Sequence, residues 1–191
     1  MEKAQRKPDR RIAKSKKAIR NAFMVLLAKE DINDITIKDI ADLADVDRKT
    51  VYNYYNGTYE ILSEIENDLV KSINDAVIEL NFKSNIEHPL VMFETISNAI
   101  NSNFDLYSHL MKMNSESQLI KKLISLFKSY VEKALQQIEL PEGTDIDVAA
   151  TFITAGTLNA YYVWFNSDRK TSLQDLSKQI GLLILYGIEK K

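Results

Sequence analysis

The chain lacks cysteine altogether and has only three prolines, five glycines and two histidines in 191 residues. Without thiols there are no disulfides and no thiolate metal sites, which suits a cytoplasmic setting. So few turn-forming residues argue against a many-stranded fold. No stretch approaches the roughly 20 apolar residues of a membrane helix, so no membrane partner is expected. The basic start has no apolar core behind it and does not predict a secretory signal. Catalytic signatures are missing as well. His88 and His109 stand far apart with no neighbouring acid in a recognisable arrangement. There is no Gly-rich phosphate loop, His-Glu-x-x-His helix or nucleophile elbow. The carboxylates are scattered along solvated helix faces. Neither an enzyme, a metal nor a cofactor is expected.

What the chain does have is helical periodicity and an uneven charge distribution. The net charge is −2, yet residues 1–60 hold 13 Lys/Arg against 10 Asp/Glu and the remainder 12 against 17. Nine cations fall within the first 20 residues, namely Lys3, Arg6, Lys7, Arg10, Arg11, Lys14, Lys16, Lys17 and Arg20, offset only by Glu2 and Asp9. Such a cluster attracts polyphosphate irrespective of base sequence, although a solvated basic tail has the same composition.

Between Thr36 and Leu62 two short helical patterns flank a tight polar junction, and a long apolar-periodic helix follows. Thr36 is a good N-cap, with Asp39 at the capping-box position. Ile37, Ile40, Ala41 and Ala44 form a narrow apolar stripe. Asp45 and Val46 make the junction, and Asp47 is the expected N-cap of the second helix. That helix, seven or eight residues long, is too short to persist alone and needs packing behind it. Val51 and Tyr55 point inward in this reading. Arg48, Lys49, Thr50, Tyr52, Asn53 and Tyr54 are left to face outward or along the rim, a composition suited to a DNA major groove.

The pattern Thr-Ile-x-x-Ile-Ala-x-x-Ala-x-Val-x-x-x-Thr-Val-Tyr-x-Tyr-Tyr, from Thr36 to Tyr55, resembles the DNA-binding half of the TetR family of regulators. The likeness extends over about residues 12–65. It implies an all-α dimer with an N-terminal three-helix helix-turn-helix domain and a C-terminal helical domain for ligand binding and dimerisation, about nine helices in all. The expected boundaries are 1–58 and 59–191, with residues 1–8 a flexible basic arm. The DNA-contacting residues implied are Thr36, Lys38, Arg48, Lys49, Thr50, Tyr52, Asn53, Tyr54 and Thr58. Two positions depart from the family pattern. Asp45 replaces the common glycine of the turn, and Thr58 replaces the common phosphate-gripping lysine at the start of the fourth helix, where Thr58 itself is expected to be the N-cap.

The predicted helices run over residues 9–29, then from residue 59 to about 80, with a break at 82–88. Further helical segments follow at 91–100, 104–113, 115–138, 147–165 and 173–188, and Pro89 suits a first helical position. A loop at 140–144 contains Pro141 and Gly143. The last two helices carry small and apolar stripes suited to a two-fold four-helix interface, for which Phe152, Gly156, Leu176, Ile180, Leu183 and Ile184 are the candidates. Packing within one subunit explains the same stripes. Candidate ligand contacts are Asn103, Phe104, Tyr107, Phe127, Tyr130, Asn159 and Tyr162, since an effector cavity is apolar with a few placed polar groups. The run from 103 to 113 and the amphipathic helix behind it resemble, more loosely, the C-terminal type of Firmicutes members.

The expected function is a DNA-binding regulator, a repressor released from a double-stranded operator by a small-molecule effector. The alternative is a protein of the same fold that has lost specific DNA binding and serves as an adaptor or co-activator.

Overall fold

The computed structural model describes residues 10–79, 89–113 and 118–186. The described residues form nine α-helices and no strands: α1 (Arg10–Leu27), α2 (Ile37–Ala44), α3 (Arg48–Tyr52), α4 (Thr58–Glu79), α5 (Pro89–Ser102), α6 (Phe104–Leu110), α7 (Leu119–Leu135), α8 (Ile146–Phe165) and α9 (Leu173–Tyr186). The expected arm at 1–8 and break at 82–88 lie outside the described residues. The chain divides into two compact units, Met1–Ile65 and Glu66–Lys191, so the division falls inside α4.

In the first unit α1 packs on α2 and α2 on α3. The core is made by Ile19, Phe23, Ile40, Val51, Tyr55 and Ile61, each at most 1% exposed. Burying a side chain such as Val51 contributes about 1.5–3 kcal/mol. That packing is what holds a helix as short as α3. The spacing predicts seven or eight residues for α3, but only Arg48–Tyr52 is helical, and the chain then turns through Asn53 and Tyr54 to bury Tyr55. On α1, Ile12 does not join the core and stays 43% exposed.

In the second unit α7 lies against α8, and α9 against α5. The second pair approach closely at Gly181, where an added Cβ would come within 2.7 Å of Leu90 and 3.2 Å of Phe93. Beside this crossing, the Ser97 hydroxyl donates to the Phe93 carbonyl (2.9 Å) and pairs with Ser177, which in turn pairs with the Tyr161 phenol at 2.6 Å. This buried hydroxyl chain ties α5, α8 and α9 together. Glu66 is another polar anchor: although 1% exposed, it accepts from the Gln118 backbone N–H and from Lys122 Nζ, both at 2.8 Å. The start of α7 is thereby fixed to α4.

Candidate nucleic-acid interface and candidate effector cavity

The helix-turn-helix is built from its caps inward. The Thr36 side chain accepts from Asp39 N–H at 3.2 Å, while the Asp39 carboxylate accepts from Thr36 N–H at 3.1 Å and from the Thr36 hydroxyl. These bonds from Thr36 hold the Asp39 carboxyl below its ordinary pKa. The Thr36 hydroxyl proton is thus engaged inside the cap. At the other end of α2, Asp45 adopts the left-handed conformation (φ 53°), and Val46 N–H returns to the Ala41 carbonyl at 3.0 Å. Glycine meets this geometry without strain, whereas aspartate tolerates it at some cost. Asp47 stands at the N-cap of α3, but its side chain makes no cap hydrogen bond, contrary to expectation.

Arg48, Lys49 and Asn53 are exposed, Tyr52 is 58% exposed, and Thr50 and Tyr54 are half-buried, while Val51 and Tyr55 face the core. Among the described residues no hydrogen bond or ion pair engages the side chain of Arg48 or Lys49. Exposed guanidinium and ammonium groups beside a tyrosine and an asparagine are donors of the type that meet guanine and adenine edges in a major groove. Lys38 is exposed on α2. Thr58 is half-buried and is the first residue of α4 rather than its N-cap. Beside this start the Glu60 carboxylate accepts from the Asn56 backbone (2.7 Å) and side-chain amide (2.8 Å).

The basic cluster is partly spent inside the unit. Lys16 and Arg20 meet the Glu64 carboxylate at 2.6 and 3.3 Å, and Tyr55 donates to it at 3.1 Å. These two cations brace α1 against α4 instead of forming a free basic surface. Arg10, Arg11, Lys14 and Lys17 are exposed, and Lys3, Arg6 and Lys7 lie outside the described residues.

The second unit encloses a cavity of about 40 Å³. Its wall comprises Ile73 and Val77 of α4, Met92, Ile96 and Ile100 of α5, and Tyr107 and Met111 at α6. Leu123, Leu126, Phe127 and Tyr130 of α7 and Thr157, Leu158 and Tyr161 of α8 complete it. Tyr107 donates to the Leu69 carbonyl at 2.8 Å, and Tyr130 to Asn74 at 2.8 Å. Burial pushes the Tyr107 phenol pKa up and that of Tyr161 up to about 12. Tyr107, Phe127 and Tyr130 are therefore brought together by the cavity they share. Asn103, Phe104, Asn159 and Tyr162 are not among its lining residues. Asn103 and Asn159 are exposed, and Phe104 stacks with Trp164, Phe165 and the Arg169 guanidinium instead.

Residues 87–186 match the TetR-type family model described as a transcriptional regulator C-terminal region, which spans more than half of the chain. The chain belongs to the TetR family of transcriptional regulators. Among its relatives, the HTH-type transcriptional regulator YxbF of Bacillus subtilis is 23% identical over 175 residues, covering 87% of this chain and 43% of YxbF. The dhaKLM operon transcriptional activator DhaS of Lactococcus lactis is 39% identical over 62 residues, 32% of this chain and 33% of DhaS. Each match thus spans less than half the length of the relative. A TetR transcriptional regulator from Streptococcus agalactiae has the same fold, with a TM-score of 0.65 at 25% identity over 92% of this chain and 96% of that one.

The surface of this TetR-family regulator divides the six interface candidates. Phe152 is 78% and Leu183 68% exposed, Gly156 is exposed, and Leu176 and Ile184 are half-buried. Ile180 is only 6% exposed within a single subunit and lies in its core. Val148, Val163 and Tyr186 add to the exposed apolar surface of α8 and α9. Sequence reasoning passed over the aliphatic liners of α4, α5 and α7, which share the spacing of ordinary core positions. It also passed over Gly181, a lone glycine in a helical pattern that marks a close helix crossing.

Proposed function

We propose that this regulator binds a double-stranded DNA operator as a homodimer, with α3 as the reading helix, and that a small-molecule effector entering the cavity of the second unit releases it. The observation that carries the reading is the sidedness of α3: Arg48 and Lys49 are exposed while Val51 is fully buried. The residues assigned to DNA are Lys38, Arg48, Lys49, Thr50, Tyr52, Asn53 and Tyr54, with Thr36 and Thr58 at helix starts beside the backbone. Dimerisation through the exposed α8 and α9 residues would set two reading helices about one DNA turn apart, roughly 34–36 Å. Effector binding then favours a spacing of the two heads that no longer fits the operator. Repression is the direction proposed, with the cytoplasm as the location.

A second reading has its own support. Asp42, Asp45 and Asp47 surround the turn of the helix-turn-helix, an acidic surface that disfavours phosphate. On this reading the chain is an adaptor or co-activator without specific DNA binding. Gel retardation with the DNA upstream of the chain's own coding sequence separates the two. Specific, salt-sensitive retardation supports the regulator that reads DNA, and no retardation at any salt concentration contradicts it.

A further inference from the structure

We infer that the cavity of the second unit selects an uncharged, hydrocarbon-rich molecule, an inference that rests on the effector reading above. Among the described residues no Lys, Arg, His, Asp or Glu side chain lines it, and its surface is apolar. The three phenols in the wall are all engaged: Tyr107 with the Leu69 carbonyl, Tyr130 with Asn74, and Tyr161 with Ser177. The remaining polar liner, Thr157, is neutral. A carboxylate or ammonium inside would lose its hydration and meet neither a counter-charge nor an unspent phenol. An alkyl chain or small neutral ring needs no such partner.

The cavity's size sharpens the inference. At about 40 Å³ it holds on the order of three water molecules. Anything larger must displace part of the wall. Met92 and Met111 are the yielding elements, because unbranched thioether side chains refill irregular space at little cost. A slender apolar ligand can thereby enlarge the cavity without breaking the three phenol hydrogen bonds.

The test uses the full chain with the neutral dye Nile red, displaced by 1-octanol, octanoate or octylamine at pH 8. The expected result is displacement by octanol at a concentration at least tenfold below that of either charged compound. The cavity-filling variants Met92→Trp and Leu158→Phe, each checked for helicity by circular dichroism, should abolish dye binding. Equal or stronger competition by octanoate or octylamine overturns the assigned ligand class while leaving the effector cavity standing. Failure of the dye and all three compounds to bind overturns the effector reading itself. Unchanged dye binding in both folded variants means that the site is elsewhere, which also overturns the inference.

Discussion

The Tyr55 phenol donates to the Glu64 carboxylate at 3.1 Å, and Lys16 of α1 meets the same carboxylate while its ammonium lies 5.1 Å from the Tyr55 ring centre. One acid thereby fixes α1, the chain that follows α3, and α4. Tyr55→Phe should lower unfolding stability by about 0.5–1.5 kcal/mol, the net value of one hydrogen bond. Glu64→Ala also removes two ion pairs, but these side chains are roughly one-third exposed. Its cost should therefore stay near 1–2 kcal/mol in total. Urea denaturation of both variants checks this, and unchanged stability in Glu64→Ala would show that the brace is idle.

Asp45 combines a left-handed backbone with a negative charge at the turn, and two substitutions separate the effects. Asp45→Asn keeps a residue that tolerates positive φ, so stability should stay within about 0.5 kcal/mol. DNA binding should tighten by about 0.5–1 kcal/mol, the scale of one exposed charge interaction. Asp45→Gly relieves the backbone as well and should raise the melting temperature. A fall in DNA affinity for Asp45→Asn, measured by fluorescence anisotropy, would place the acid in a favourable contact.

Phe152 and Leu183 are exposed in the single subunit, so charging them should leave its fold intact. Phe152→Glu and Leu183→Glu are expected to yield folded monomers in light scattering behind size exclusion, and the unaltered chain a dimer. Dimers that persist in both variants would move the interface away from α8 and α9.

Tyr161 titrates near 12 in the folded protein because burial disfavours the phenolate, against about 10 when unfolded. Between these values the unfolded chain binds fewer protons than the native one, so stability falls as pH rises. The contribution is whole below pH 10 and is lost as pH passes 12. Its slope is about 1.4 kcal/mol per pH unit at most for one group. Tyr161→Phe should flatten the decline measured by urea unfolding from pH 9 to 11.5, leaving the part due to Tyr107. An equally steep decline in that variant would contradict the assignment.

Helix type and the two-sidedness of the helix-turn-helix were legible because they rest on local rules. The Thr36–Asp39 capping box spans four residues, and Val51 and Tyr55 are one helical turn apart. What could not be read depends on residues distant in sequence. Lys16 and Arg20 look like any other members of a basic run until Glu64 arrives beside them, 44 or more residues later. Ile180 looks like a surface stripe residue until Gly181 lets α9 settle on α5. Thr58 is the first helical residue of α4, and the segment before it is held by Glu60 bonding back to Asn56. Among the ligand candidates, aromatic character failed to separate Tyr107 in the cavity wall from Phe104 in the Trp164 cluster, since both satisfy the same helical spacing.

The most direct test of the account is operator binding by the Arg48→Ala, Lys49→Ala double variant, measured by gel retardation at two salt concentrations beside the unaltered chain. The predicted loss is a few kcal/mol in total, about 1–3 for each good base contact, with circular dichroism unchanged. Retardation as strong as that of the unaltered chain would contradict α3 as the reading helix.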